Sequence, residues 1–226
     1  MRETGSGNLF VAIIADIKDS RHLEERKKVQ EKLREVLDSL NRKYENDIAA
    51  KFLITLGDEF QGLLRGGENV LNIIEEIKMS LYPVRMRFGI GIGSITTDIN
   101  EEMALGADGP GYYCAREAVE VLKDREKKKK AVPADICLRT AGNDRGKEVL
   151  VNTVFELMYV VENGWTKRQR EIIWDMLLHQ DGQKNTASRL RVSQPTVQKA
   201  LASGNYYTYE NALKNVAEIL GDIRYD

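Results

Sequence analysis

The chain has 226 residues, with 34 Lys and Arg against 35 Asp and Glu, and a formal net charge of −1, so no overall basic field draws it to nucleic acid. Its length admits one large domain or a smaller one with an appendage, either able to bury a core. Cys114 and Cys137 lack metal-ligand spacing and are expected to be free thiols. The N-terminal apolar run is far short of a membrane span, so a cytoplasmic protein with no membrane partner is expected.

Residues 1–8, MRETGSGN, are polar and glycine-rich, and disorder is expected there. Leu9 to Ile14 predict a short buried strand with Asp16 at its end, and Asp19 and Ser20 then offer N-caps for a helix over 21–44. Lys18 and Arg21 flank that turn and suit an anion.

The stretch from Lys51 to Arg65, KFLITLGDEFQGLLR, predicts a β-hairpin whose tip carries Gly57, Asp58 and Glu59. Glycine reaches positive φ cheaply and lets a ligand approach the backbone. Adjacent side chains on extended chain point to opposite faces, so one of Asp58 and Glu59 serves a site and the other does not. Two carboxylates about 4 Å apart repel by roughly 4 kcal/mol at an effective dielectric near 20. A fold that brings Asp16 to Asp58 therefore needs a cation between them. Oxygen ligands point to Mg²⁺ or Mn²⁺, and the free helix start beside them suits a nucleoside triphosphate.

Gly66 and Gly67 predict a turn, followed by a helix over 68–81 that Pro83 ends. Residues 84–96, VRMRFGIGIGSIT, predict a strand with Gly89, Gly91 and Gly93 on one face. That face leaves room for a ligand or for a closely packed helix, with equal weight. A loop over 98–111, a helix over 112–123, an exposed charged turn over 124–130 and a strand over 136–140 follow. A polar loop over 141–147 leads to an apolar helix over 149–161, which connects domains or forms a dimer interface. Asn163-Gly164 marks the boundary.

In the tail, Thr166 with Gln169 reads as a capping box. Residues 185–203, NTASRLRVSQPTVQKALAS, follow a helix-turn-helix pattern: a turn over 191–193, then a helix capped by Ser193 with Pro195 in its first turn and Val197 and Leu201 inward. Between Trp165 and Ser203 seven Lys or Arg face three Asp or Glu, a net of +4, while residues 1–164 sum to −3. The basic charge lies where contact with double-stranded DNA is expected: Gln194, Thr196, Gln198 and Lys199 face outward on the helix, Gln suits adenine, and Lys199, Arg189 and Arg191 are better placed for phosphates. A tail that only mediates protein contact can share this packing pattern.

The order of a strand with Asp, a helix and a hairpin bearing GDEF resembles the palm-type core of class III nucleotide cyclases and GGDEF diguanylate cyclases. That resemblance implies two metal ions held by Asp16 and Asp58, with Ile17 as a carbonyl ligand. It places phosphates over Lys18, Asp19, Ser20 and Arg21, with Gly57 and Glu59 beside them. In class III cyclases a later helix carries an asparagine and, four residues on, a transition-state arginine; Arg116 takes the arginine place and Tyr112 stands in the asparagine place. Ile54 stands where the family has its purine-selecting lysine. The combination of ADIKDSR, LGDEFQGLL and GWTKRQRE resembles the SatD family across most of the chain.

Together these imply an α+β fold. A ferredoxin-like, palm nucleotide-cyclase-like domain is expected over 9–147, a connecting helix over 148–164 and an all-α helix-turn-helix domain over 165–226. The expected function is a homodimeric DNA-binding regulator whose palm binds a nucleotide with a divalent metal. An active nucleotidyl cyclase or nucleotidyltransferase, and a non-catalytic dimerisation module with a protein-interaction tail, are the alternatives.

Overall fold

A computed structural model describes residues 9–20, 23–104, 106–128, 132–142 and 145–222. The disorder expected of residues 1–8 falls outside them. The elements are β1 (Phe10–Ile17), α1 (Arg26–Lys43), β2 (Ile48–Leu56), β3 (Glu59–Leu64), α2 (Val70–Leu81), β4 (Met86–Gly93), α3 (Pro110–Lys127), β5 (Ile136–Thr140), α4 (Arg145–Asn163), α5 (Lys167–His179), α6 (Gln183–Arg189), α7 (Gln194–Ser203) and α8 (Tyr206–Gly221). The five strands form one sheet in the order β2-β3-β1-β4-β5. β1 is antiparallel to both β3 and β4, β2 to β3, and β5 runs parallel to β4. The first four strands with α1 and α2 make the split βαβ arrangement of a ferredoxin-like fold, as expected, and β5 extends it.

β1 is the centre of the sheet because every residue in it is buried. Period-two alternation gives it two apolar faces. Val11, Ile13, Ala15 and Ile17 join the core shared with α1, α2 and α4, whereas Phe10, Ala12 and Ile14 join a second core under α3. β4 alternates in the same way: Phe88, Ile90 and Ile92 face the first core, and the three glycines face α3. A Cβ on Gly89 would stand 2.2 Å from the Ala115 carbonyl oxygen, and one on Gly91 would stand 2.1 Å from that of Gly111. The glycine face is therefore filled by a helix, which is one of the two readings the sequence leaves open.

Several boundaries differ from expectation. α1 starts at Arg26, not at residue 21, and its N-cap is Glu25, with no side-chain cap. Asp19 and Ser20 do not cap it, because Asp19 has a φ of +52° and turns the chain first. α3 runs on to Lys127, so the first half of the charged run is a last helical turn. Glu126 holds it there by pairing with Lys18 and Arg87. α4 begins at Arg145, inside the expected polar loop, and Glu148 ties it to the end of β5 by accepting from Arg139 and from the Thr140 amide. Both cysteines are free.

The four C-terminal helices pack back onto the sheet layer. Trp165, Ile172, Val197, Leu201 and Tyr209 belong to the same continuous core as β1 and α2. At the junction the Lys78 ammonium lies 2.6 Å from Glu162, 3.1 Å from Glu75 and 3.2 Å from Asp135, and Arg170 closes the group with Glu162 at 2.8 Å. Burial opposes the Lys78 charge, but Asp135, Glu162 and Glu75 outweigh it and hold its pKa well above the ordinary value. Burial pushes Glu75 up to about 7, while Glu162, facing both Lys78 and Arg170, is lowered despite its own burial. The Tyr209 hydroxyl donates to both carboxylates, at 3.2 and 3.3 Å. No helix among the described residues is long and apolar enough to cross a membrane.

The fit of α3 on β4 gives a direct test. Gly91→Ala is expected to cost about 1–3 kcal/mol, because its methyl group meets backbone and not a movable side chain. Gly142→Ala, which meets nothing within 4 Å, is expected to stay within about 0.5 kcal/mol of wild type. Urea unfolding of the two variants measures the contrast.

Candidate functional site

The end of β1 carries a row of charged side chains. Asp16 is in register with Glu59 on β3 and with Arg87 on β4, and all three alternate with core residues, so they point to the α3 face. Arg87 donates to Asp16 at 2.9 Å and to Glu126 at 2.9 and 2.5 Å. Lys123, from the last turns of α3, lies 3.2 Å from the second Asp16 oxygen and 2.9 Å from Glu120. Lys18 lies 2.6 Å from Glu126. Asp16 is 8% exposed, so these cations neutralise a carboxylate that water reaches poorly.

The same arrangement shifts its members. Burial opposes the Arg87 charge, but the hydrogen bonds it donates to Glu126 and Asp16 raise its pKa. Burial likewise opposes Lys123, and Glu120 and Asp16 raise it. Glu126 is lowered by Arg87 and Lys18 against its own burial. Each cation that holds Asp16 thus has a second carboxylate of its own, Glu126 for Arg87 and Glu120 for Lys123.

The hairpin tip meets this row from the side. Gly57 turns the chain at a φ of +64°, and its carbonyl accepts from the Gln30 side chain at 2.5 Å. The Ile17 amide donates to the Asp58 carbonyl at 3.2 Å, so the end of β1 and the tip are one structural unit. Asp58 lies in the turn and is half-buried, while Glu59 opens β3 and accepts from the Thr55 hydroxyl at 3.3 Å. The two acids thus stand in different local structures, a turn and the first residue of a strand.

The structure therefore brings Asp16, Ile17, Lys18, Gly57, Asp58 and Glu59 to one edge of the sheet. Asp19 is exposed and Ser20 half-buried in the turn that follows, and Arg21 lies outside the described residues. Arg116 is not brought to Asp16 within the chain. It is exposed on α3 two turns before Lys123, about 10 Å along the axis. Tyr112 is buried in the second core, and Ile54 packs against the first. Among the described residues, no group of three or more His, Cys, Asp and Glu is arranged to hold a metal. Composition and motif reading missed Arg87, Lys123 and Glu126. The available signal was Arg87 itself, which shares the glycine face of an otherwise apolar strand and so needs a buried acid beside it.

In the tail, α6 and α7 are joined by the four residues 190–193, with Arg191 at a φ of +52°. The capping box on α5 forms as expected, and Ser193 caps α7 by accepting from the Thr196 amide. Val197 and Leu201 are fully buried, whereas Gln194, Thr196, Gln198, Lys199 and Arg191 are exposed. Arg189 differs from expectation. Its guanidinium is held by Asp175 and Asp181 at 2.5–3.2 Å, which raise its pKa. It braces α5 against α6 and is not free for a phosphate.

Asp16→Ala is expected to destabilise the protein by about 1–3 kcal/mol, because Arg87 and Lys123 each lose a poorly hydrated partner. Arg116→Ala is expected to leave stability within about 0.5 kcal/mol. Thermal melts of both variants check the placement of the network.

Comparison with known proteins adds a family. A model described as SatD family matches residues 10–220. A search of curated proteins finds no match. Among solved structures the chain is similar to the catalytic core of a rhodopsin-guanylyl cyclase with converted specificity, in complex with ATPαS. Identity is 14%, coverage 50% of this chain and 72% of that one, and the TM-score 0.39. It is similar also to a dimeric guanylyl cyclase domain from the aquatic fungus Blastocladiella emersonii, at 14% identity, 50% and 74% coverage and a TM-score of 0.39. A regulator of polyketide synthase expression from Bifidobacterium adolescentis is similar over 94% of this chain and 86% of that one, at 11% identity and a TM-score of 0.28. The family match runs from the first residue of β1 to the last turn of α8, and the chain belongs to the SatD family.

Proposed function

We propose that this protein is a DNA-binding regulator that reads double-stranded DNA with α7 and takes a nucleoside triphosphate with Mg²⁺ or Mn²⁺ at the end of β1. The observation that carries the reading is α7 itself. It is anchored by Val197 and Leu201 and presents four polar residues outward in its first turns. Recognition helices read base edges with their N-terminal residues. Gln194 and Gln198 suit adenine, and Lys199 and Arg191 suit phosphates.

For the metal, the donor set is oxygen from Asp16, Asp58 and the Ile17 carbonyl, which suits a hard cation. Asp16 already holds Arg87 and Lys123, but both have second acids, so releasing Asp16 to a metal leaves neither cation unpaired. The metal would supply charge neutralisation for the phosphates. Lys18, Asp19, Ser20, Gly57 and Glu59 surround the place where those phosphates would lie. A homodimer suits paired DNA half-sites, and the outward α4 residues Val149, Leu150, Leu157 and Val160, 57–67% exposed, offer it an apolar surface.

Binding of labelled genomic fragments, followed by anisotropy across a salt series, tests the DNA reading. Gln194→Ala is expected to lose sequence preference at a cost of about 1–3 kcal/mol, and Lys199→Ala to weaken all sequences and reduce the salt slope by about one. If a chain lacking residues 165–226 binds as well as the full chain, the DNA assignment fails.

The metal reading predicts that Mn²⁺ raises the melting temperature, and raises it further with a nucleoside triphosphate. Equal shifts for wild type and Asp58→Asn would contradict it.

A further inference from the structure

The polar group that joins the sheet layer to the tail holds more acid than base. Three carboxylates meet there, Glu75 on α2, Asp135 before β5 and Glu162 on α4, against two cations, Lys78 on α2 and Arg170 on α5. With every member ionised the group has one negative charge in excess. Water reaches it poorly, since side-chain exposure is 6% for Glu75, 11% for Glu162 and 15% for Asp135. An uncompensated charge in such a place is far more costly than a neutral carboxyl, so one of the three acids is expected to keep a proton.

The hydrogen bonds single out Glu75. Both oxygens of Glu162 are engaged, Oε1 by Arg170 at 2.8 Å and Oε2 by Lys78 at 2.6 Å, and Asp135 is the most exposed of the three. Glu75 is held on one side only. Its Oε1 accepts from Lys78 at 3.1 Å and from the Tyr209 hydroxyl of α8 at 3.2 Å, whereas its Oε2 is buried without a partner. An ionised oxygen with neither donor nor water is costly, and a neutral hydroxyl in the same place much less so. Burial accordingly pushes the Glu75 carboxyl up to about 7 even with Lys78 beside it, while Glu162 is lowered by Lys78 and Arg170 against its own burial. On the outer side of α2, Glu75 lines a groove with Lys43 of α1, Glu68, Glu76, and Glu210, Lys214, Glu218 and Asp222 at the end of the tail. The two lysines there are held by Glu76 and Glu210, and no group of the groove hydrogen-bonds to Oε2.

We propose that the seat of the tail is a proton-dependent latch, in which Glu75 holds one proton near neutral pH and the loss of that proton as pH rises weakens the contact of α5 and α8 with the sheet layer. The sign follows from linkage. Glu75 ionises above about 4.5 as an ordinary carboxyl in the unfolded chain and above about 7 in the folded one, so the stability it contributes is complete below the lower value and is lost as pH rises through the upper one. The latch does not depend on what the tail or the end of β1 binds.

The chain contains two tryptophans, and both lie at this junction, Trp165 edge-on to Tyr209 at 4.9 Å and Trp174 edge-on to Tyr82 at 5.2 Å. Urea unfolding of the full chain, followed by their fluorescence from about pH 5 to about pH 8, tests the latch. Wild type is expected to become less stable as pH rises, its unfolding constant growing by up to about tenfold per pH unit below about pH 7, the effect of one proton released on unfolding. Glu75→Gln, which keeps the shape and cannot ionise, is expected to lose that slope. The two histidines of the chain titrate in wild type and variant alike, so the difference between the curves isolates Glu75. Glu75→Met, which also cannot ionise, decides the matter if Glu75→Gln does not fold. A wild-type stability that does not fall over this range, or a non-ionising variant whose curve runs parallel to that of wild type, would overturn the proposal.

Discussion

The Lys78 ammonium is the point at which the two halves of this molecule are joined. It is drawn into the interior by three carboxylates from three different elements, Glu75 on α2, Asp135 before β5 and Glu162 on α4. A buried charge with one partner is a liability, and one with several partners and a hydroxyl beside them is held firmly. Arg170 and Tyr209 extend the group into α5 and α8. Ion pairs of this geometry specify one arrangement of the elements, because a displaced helix leaves a charge buried alone. The tail is thus seated on the sheet layer by polar geometry as well as by the continuous apolar core around Trp165 and Tyr209.

A second constraint fixes the charged row at the end of β1. Three glycines on β4 let the backbone of α3 touch the strand, which sets the height of the helix over the sheet to within the size of a methyl group. That height decides that Lys123 and Glu126 reach the Asp16 row, and that Arg116, two turns earlier, does not. The site is therefore assembled by packing at a distance from it. A charged residue on a helix meets its partner only because three absent side chains let the helix come down.

Much of this was legible in the sequence. The uninterrupted apolar run of β1, the GDEF hairpin and the capping box at Thr166 gave strand, tip and tail helix their places, since each depends on a local pattern. The α3 boundaries were not legible, because residues 124–127 read as a solvated charge run until Glu126 is seen to pair with Lys18 and Arg87. The start of α1 was missed for a related reason. Asp19 and Ser20 are good caps by type, but the left-handed turn at Asp19 delays the helix beyond them. Arg189 looked like a phosphate contact because its residue type and position suit one, and only the fold brings Asp175 and Asp181 to it. For α3 and Arg189 the missing information was a contact between different parts of the chain, and for α1 it was the backbone conformation of one residue.

The claim that the end of β1 is a metal and nucleotide site rests on Asp16 exchanging its protein cations for a metal shared with Asp58. A crystal grown with Mn²⁺ and a nucleoside triphosphate, measured at the manganese absorption edge, addresses that exchange directly. The account predicts anomalous density between Asp16 and Asp58, with Lys123 turned to Glu120 and Arg87 kept by Glu126. Asp16 still bound to Arg87 and Lys123, with no manganese beside it at saturating metal and nucleotide, would contradict it.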